Sequence, residues 1–134
     1  MLNTPRSLRG MVTSPHHLAS EAGLRVLREG GNAIEATLAM AASLPVVYPH
    51  MNSIGGDGFW LISVDGKAPI AVDGCGAAAQ AATVDFYKAK GLSAIPSRGP
   101  LAANTVARTL SGWAEVIAIN KGVGGKLPLS RLVE

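Results

Sequence analysis

The sequence is poor in aromatic residues, in charge of either sign and in cysteine. Aromatic residues make up 4% of the chain and charged residues 16%, whereas hydrophobic residues make up 48%. This balance argues against a disordered chain, in which charged residues are common and apolar residues are few. The net charge of +3 comes from scattered Lys and Arg without interleaved aromatics, so nucleic acid is not an expected partner.

Metal and disulfide chemistry also lack their usual residues. The single cysteine, Cys75, excludes an internal disulfide framework and a cysteine-cluster metal site. His16 and His17 are adjacent, so on a helix they point about 100° apart and do not easily share one metal ion. His50 stands alone in a loop. We therefore expect no metal ion and no cofactor.

No long apolar segment marks a signal peptide or a membrane span. The start of the chain contains arginines but lacks the apolar region of about 7–15 residues that a secretory signal requires. The longest apolar stretch, residues 33–47, is interrupted by polar residues and Pro45 and is too short to cross a bilayer. We expect a soluble protein without a membrane partner, cytoplasmic unless a leader has been removed.

Cap and breaker residues predict two helices in the first third of the chain. Ser14 followed by Pro15 predicts a helix start, and Gly30 predicts its end. Asn32 predicts the N-cap of a second, apolar helix with a capping box, and Pro45 predicts its end. Apolar residues at helical spacing predict the buried face of the first helix: Leu18, Ala22 and Val26. The same spacing predicts the buried face of a later helix: Leu110, Trp113 and Ile117.

The remainder of the chain predicts a hairpin and three further helices. "FWLISV" and "APIAVD" are joined by residues 65–67, Asp-Gly-Lys, which favour a hairpin turn. Thr83 predicts the cap of a short helix, residues 105–120 predict a longer helix, and Pro128 predicts the start of a last one. This order of elements predicts an α+β fold with sheet and helices in layers.

The stretch "NSIGGDGFW", residues 52–60, resembles a nucleotide-binding loop only in its glycine content. A phosphate loop needs G-x-x-x-x-G-K-[ST] followed by a helix, whereas Gly58 is followed by residues typical of a strand. The glycines favour a close backbone approach at a strand entrance. Asp57 and Asp73 are either a carboxylate pair for acid–base chemistry or acceptors of turn N–H groups, and the residues leave both open.

A connected pattern resembles the γ-glutamyltranspeptidase family. The segment "GMVTSPHHLASEAGLRVLREGGNAIEATLAMAASLPVVYPHMNSIGGDGFWLISVDG" is similar to the N-terminus of that family's large subunit. The similarity continues through "AVDGCGAAAQAA", "GPLAANTV", "SGW" and "KLPLSRLVE". Several blocks in the family's order over almost the whole chain make the resemblance specific. It implies that residues 1–134 are the N-terminal portion of a γ-glutamyltranspeptidase-like large subunit.

The resemblance implies a fold and a chemistry. The fold is part of the αββα sandwich of the N-terminal nucleophile hydrolases, incomplete in this chain. The chemistry is amide hydrolysis or acyl transfer by an autoprocessed proenzyme, whose exposed N-terminal threonine attacks the amide with its own amine as base. Because every threonine here is internal and no Thr-Thr-His segment occurs, we expect no catalytic residue in this chain. The expected partner is the missing C-terminal part, which contains the small subunit and the nucleophile.

Two departures from the family pattern bear on the substrate. Glutathione-cleaving members carry an arginine in a "DFRE"-like segment, and Cys75 in "VDGCG" stands at about that position. A cysteine lacks the bidentate fork that binds a carboxylate, so γ-glutamyl compounds, oxamate and acylated β-lactams all stay open as amide substrates. Cys75 and Arg98 are the substrate-binding candidates. The second departure is Ala107-Arg108, where members usually have Pro-Gly, and it adds a charge.

A catalytically inactive structural or interaction fragment is the competing hypothesis. Continuation of the coding sequence past Glu134 to a threonine-containing processing site would separate the two hypotheses.

Overall fold

The computed structural model describes residues 4–134, which form five helices and one two-stranded sheet. In chain order the elements are α1 (His17–Arg28), α2 (Ala33–Val47), β1 (Gly58–Ile62), β2 (Ile70–Gly74), α3 (Val84–Ala89), α4 (Thr109–Gly122) and α5 (Leu129–Leu132). The mixture of helices and strands agrees with the predicted α+β class. In this part of the chain helices pack against one face of the sheet, so the complete αββα sandwich stays a prediction.

Side-chain caps fix the starts of α2 and α3, as the sequence predicts. The Asn32 side chain accepts the backbone N–H of Glu35 at 3.0 Å, and the Glu35 carboxylate accepts the backbone N–H of Asn32 at 2.8 Å. These reciprocal bonds satisfy donors that the first helical turn cannot pair internally. The Thr83 hydroxyl accepts the backbone N–H of Phe86 at 3.2 Å in the same way. Both predicted caps are confirmed.

Two predicted helix boundaries are wrong. The N-cap of α1 is His16, not Ser14, because the Nδ1 atom of His16 accepts a backbone N–H of the first turn at 3.3 Å. Pro45 does not end α2 but lies inside its last turn. A proline removes one helical hydrogen bond, yet the helix still closes because the backbone N–H of Tyr48 donates to the carbonyl of Leu44 at 2.8 Å.

The buried faces of α1 and α4 agree with the predicted ones only in part. Val26 is buried, and Trp113 and Ile117 pack against the core, as predicted. Leu18 is 46% exposed and Leu110 is 53% exposed, although apolar spacing predicts both as core residues. The residues that these helices bury are mostly small: Ala19, Gly23, Val26, Thr109, Gly112, Val116 and Asn120. A β-carbon at Gly23 would lie 2.7 Å from Met40 Cγ. Close approach of the α1 backbone to α2, and not burial of Leu18, therefore determines the buried face of α1.

The two strands form the predicted hairpin, with shorter strands than the sequence suggests. Gly58 pairs with Gly74 and Ile62 pairs with Ile70 in an antiparallel register. The turn contains Gly66 at a positive φ of 70°, a conformation that glycine adopts without steric cost. The start of α4 is also later than predicted, at Thr109, because the preceding residues run beside the chain that follows β2.

The two faces of the hairpin have different surroundings. The inner face packs on α2 and α4 around a core of Val26, Ala36, Leu38, Ala39, Ile62, Val116 and Leu132. On the outer face, Phe59 is 67% exposed and Leu61 is 79% exposed. Burial of a side chain of this size stabilises a fold by about 1.5–3 kcal/mol, so this bare face leaves apolar surface uncovered. None of the helices in residues 4–134 is long and apolar enough to cross a bilayer.

A buried polar cluster, the Glu35 clasp, joins the α1–α2 turn to the α4–α5 connection. Glu35 is 1% exposed, and its Oε1 atom accepts the backbone N–H groups of Lys126 at 2.6 Å and Leu127 at 2.7 Å. Asn120 donates to the same oxygen at 3.4 Å and accepts from the Asn32 side chain at 2.7 Å. Every polar atom of the carboxylate is therefore paired, as a buried charge requires.

Candidate functional site

The glycine-rich loop before β1 receives the start of α4. The carbonyl oxygen of Gly56 accepts the backbone N–H groups of Arg108 and Thr109, each at 3.0 Å, and the Thr109 hydroxyl at 2.8 Å. A β-carbon at Gly58 would lie 3.6 Å from the Thr109 Cα atom. The loop therefore presents a carbonyl oxygen to a helix start. The predicted need for glycine at a close backbone approach is not met here, because a β-carbon would meet no atom within 4 Å at Gly56 and would make only an ordinary contact at Gly58. The sequence did not single out Thr109, whose hydroxyl is the donor that fastens this contact.

The two aspartates near this loop hold the turn that follows β2. The Asp57 carboxylate accepts the backbone N–H of Gly76 at 2.8 Å and lies 3.7 Å from the Cys75 sulfur. The Asp73 carboxylate accepts the backbone N–H of Cys75 at 2.8 Å. Of the two interpretations that the sequence left open, these bonds favour turn acceptors. Residues 74–79, which these bonds position, are called the Cys75 loop below.

Cys75 is exposed and surrounded by negative charge. The carboxylate of Asp57, partial loss of solvent and the carboxylate of Asp73 raise the pKa of the Cys75 thiol, and the positive charge of Arg108 opposes them. The thiol consequently stays protonated and donates its hydrogen to Asp57. A nucleophilic cysteine needs the opposite environment, in which nearby positive charge favours the thiolate.

The Cys75 loop runs antiparallel to the segment that leads into α4. Ala78 and Thr105 form a β-bridge, and the backbone N–H of Val106 donates to the carbonyl of Ala77 at 3.0 Å. A methyl group at Gly76 would collide with the carbonyl oxygen of Val106. Glycine is therefore required here by close backbone approach.

A cavity of about 280 Å³ lies beside the loop, between α2, β1 and α4. Asp57 and Thr109 line it, together with Thr37, Asn52, Trp60 and Trp113. Its walls combine two indole rings with hydroxyl, amide and carboxylate groups. Such a mixture of apolar walls and few polar groups is typical of small-molecule sites. Asp57 is thus shared by the cavity and the Cys75 loop.

Arg98 and the histidines lie outside this arrangement. Arg98 is exposed in the connection between α3 and α4, and within residues 4–134 no side-chain hydrogen bond or ion pair joins it to the Cys75 loop. The histidines gather instead around Tyr48, whose ring centroid lies 4.2 Å from that of His50 and 6.4 Å from that of His16. His16 stacks on His17 at 4.7 Å. No group of three metal-binding side chains is present in the described part of the chain.

Comparison with known proteins identifies the family of this arrangement. The family model described as Gamma-glutamyltranspeptidase matches residues 19–134. The chain belongs to the γ-glutamyltranspeptidase family. The matched range includes the glycine-rich loop, the Cys75 loop and α4, so the whole site lies within family sequence.

Individual relatives agree with this assignment. The chain is 54% identical over 128 residues to a protein of Klebsiella pneumoniae named oxamate amidohydrolase proenzyme, and 48% identical over 108 residues to a glutathione hydrolase-like proenzyme of Bacillus subtilis. These matches cover 95% and 80% of this chain but only 24% and 20% of the relatives. The crystal structure of Helicobacter pylori gamma-glutamyltranspeptidase superposes with a TM-score of 0.82 at 34% identity, covering 98% of this chain and 37% of that one.

Proposed function

We propose that residues 1–134 form the N-terminal portion of the large subunit of an autoprocessed amidohydrolase or acyltransferase. Its substrate is a small amide, such as a γ-glutamyl compound or oxamate. The observation that carries the proposal is the 54% identity, over 95% of the chain, to a protein named oxamate amidohydrolase proenzyme. A chain that spans about a quarter of such a relative contributes part of the site and not the whole activity.

In this proposal the chain supplies a wall of the acyl pocket. Cys75 and Arg98 are the substrate-binding candidates that the family resemblance carries over. Support for Cys75 comes from its exposure on a loop that Asp57 and Asp73 fix through backbone N–H groups. A loop held by several hydrogen bonds keeps a substrate-contacting residue in place, which positioning in catalysis requires.

The nucleophile comes from the remainder of the enzyme. The hydroxyl of an N-terminal threonine, released by autoprocessing, attacks the amide carbonyl while its α-amine accepts the hydroxyl proton. The amide C–N bond then breaks and the amine leaves with that proton, which gives an ester acyl-enzyme. Water or an acceptor amine attacks this ester and regenerates the threonine hydroxyl. The bare outer face of the hairpin, with Phe59 and Leu61 exposed, supports a missing partner part. The rest of the large subunit and the small subunit would cover this apolar surface.

Expression of the longest reading frame that contains this chain tests the proposal. We expect a polypeptide that cleaves itself once and then hydrolyses oxamate or a γ-glutamyl anilide, whereas purified residues 1–134 hydrolyse neither. Saturable hydrolysis by residues 1–134 alone would contradict the proposal that the nucleophile lies in the remainder of the enzyme. A long form that is processed and folded but turns over no amide would instead favour an inactive structural or interaction role.

A further inference from the structure

We propose that the guanidinium of Arg108 binds the carboxylate of the acyl donor. Arg108 lies in the segment that leads into α4 and runs beside the Cys75 loop. This inference rests on the proposed function, because it assigns a specificity-determining residue to the acyl pocket. The ligand is an amide whose acyl part carries a carboxylate. Arg108 would provide the charge that a cysteine at position 75 cannot.

The backbone brings residue 108 close to residue 75. Ala78 and Thr105 are bridge partners in an antiparallel arrangement. Counting three residues back from Ala78 and three forward from Thr105 along this arrangement reaches Cys75 and Arg108. The hydrogen bonds between the two segments end at Val106, because the backbone N–H of Arg108 donates to Gly56 instead. The segments nevertheless stay in contact, since a β-carbon at Gly76 would collide with the carbonyl oxygen of Val106, and this contact keeps residue 108 beside residue 75.

Close packing at the neighbouring residue supports this alignment. A β-carbon at Gly74 would lie 3.4 Å from the Arg108 carbonyl oxygen. The backbone N–H of Arg108 is fixed by the Gly56 carbonyl at 3.0 Å. The carbonyl oxygen of Arg108 accepts the backbone N–H of Gly112 at 2.9 Å. Both backbone groups of Arg108 are therefore fixed, so the start of its side chain has a defined position beside Gly74.

The charge of Arg108 also acts on Cys75. It lowers the pKa of the Cys75 thiol against the two aspartates that raise it, as a cation near the sulfur does. The guanidinium itself is not consumed by an ion pair, since neither salt bridge found within residues 4–134 includes Arg108. Its neighbours Asp57 and Asp73 are occupied by backbone N–H groups of the Cys75 loop.

These observations describe an exposed guanidinium at a rigid loop. Arg108 is exposed, and its side chain makes no capping hydrogen bond at the start of α4. A guanidinium without a carboxylate partner retains the planar fork that binds a carboxylate through two parallel hydrogen bonds. The adjacent Asp57 and Asp73 limit this binding to ligands that place a single carboxylate near Arg108, because a second negative charge would meet the aspartates.

Alkylation of Cys75 in the intact protein tests this assignment without relying on turnover. Cys75 is treated with anionic iodoacetate and with neutral iodoacetamide, and modification of its peptide is followed by mass spectrometry. Because both reagents need the thiolate, the ratio of their rates cancels any change in thiol pKa. We expect Arg108→Gln to lower the iodoacetate-to-iodoacetamide ratio by roughly threefold, as for unit charges a few ångströms apart across water. The matched control Arg28→Gln, an exposed arginine on α1, should leave the ratio unchanged.

Binding of the carboxylate is measured with oxamate as the probe. Oxamate should slow iodoacetamide modification of wild-type Cys75, whereas its neutral analogue oxamide should not. In Arg108→Gln the same protection should require at least about ten times the oxamate concentration that wild type requires, because one charge-assisted interaction is lost. In Arg108→Lys the alkylation ratio should be retained while protection weakens, because lysine keeps the charge and loses the fork.

The outcomes separate this proposal from the proposed function. An unchanged ratio in Arg108→Gln, or a fall in Arg98→Gln instead, overturns the assignment to Arg108 whatever the enzyme hydrolyses. If Arg108→Gln does not fold, equal oxamate protection of wild type and Arg108→Lys overturns it. Conversely, a protein that hydrolyses no amide yet shows oxamate protection dependent on Arg108 refutes the proposed function and supports the anion site.

Discussion

Replacement of Glu35 by glutamine is the sharpest test of what holds this unit together. The carboxylate is 1% exposed, and both of its oxygens act as acceptors: Oε2 for the backbone N–H of Asn32, and Oε1 for Lys126, Leu127 and the Asn120 side chain. Glutamine preserves the shape but converts one oxygen into a donor. At least one backbone N–H then faces another donor in a buried site.

The expected loss follows from these bonds. Leaving one buried N–H without an acceptor costs about 1–3 kcal/mol, and hydrogen bonds that lose their charge assistance weaken by about 1 kcal/mol each. Bonds within one network are not additive, so we expect Glu35→Gln to lower the free energy of unfolding by about 3–4 kcal/mol. This is a large part of the stability of a typical domain, about 5–15 kcal/mol. Urea unfolding measures it, with the exposed Glu115→Gln as control.

The pH dependence gives a second, independent check. Burial raises the pKa of Glu35, but hydrogen bonds from Leu127, Asn32, Lys126 and Asn120 together lower it below its ordinary value of 4.5. A group whose folded pKa is depressed stabilises the fold above the unfolded pKa and loses that contribution as the pH falls through the folded pKa. The stability difference between wild type and Glu35→Gln should therefore shrink from pH 4.5 downwards. A difference below about 1 kcal/mol at neutral pH, or one that does not change on acidification, would refute this account of the clasp.

Three further perturbations test the site and the surface around it. Cys75→Arg in the complete enzyme should raise kcat/KM for a γ-glutamyl anilide by about tenfold, because Cys75 is exposed and leaves room for the guanidinium. An unchanged donor preference in a processed enzyme would argue against a place for Cys75 in the acyl pocket. Gly76→Ala should destabilise the fold by about 3 kcal/mol in urea by collision with the facing backbone, whereas Gly56→Ala, with nothing within 4 Å of its β-carbon, should cost far less. Isolated residues 1–134 should associate and bind an apolar dye, and Phe59→Ser with Leu61→Ser should reduce both in light scattering and fluorescence, since these side chains are 67% and 79% exposed.

Local chemistry made part of the fold predictable. The capping box at Asn32, the Thr83 cap and the turn around Gly66 each depend on residues within a few positions of one another. Each can therefore be predicted from the local sequence without knowledge of the tertiary contacts. The family resemblance was visible for the same reason, because the glycine block and the hairpin are contiguous segments of the sequence.

Features that depend on distant partners were not predictable in this way. Leu18 looked like a core residue by spacing, yet α1 turns Gly23 toward Met40 because two small-residue surfaces approach more closely. In the site, the sequence left Asp57 and Asp73 open between an acid–base pair and turn acceptors, and only their bonds to Gly76 and Cys75 favour the second interpretation. Arg108 was visible only as a departure from a family pattern, since its position beside Cys75 depends on a bridge between segments far apart in sequence.

The Glu35 clasp also has a consequence for the order of folding. Its bonds to Lys126 and Leu127 span 91 and 92 positions, whereas α1 and α2 are neighbours in the chain and can pair early. During synthesis the carboxylate of Glu35 therefore remains hydrated until residue 127 has left the ribosome, and α2 carries a charge on the side that later becomes buried. The clasp can therefore close only after residues 35–127 have all been synthesised. A nascent chain that stalls before residue 127 would expose α1 and α2 as an open, protease-sensitive helical hairpin.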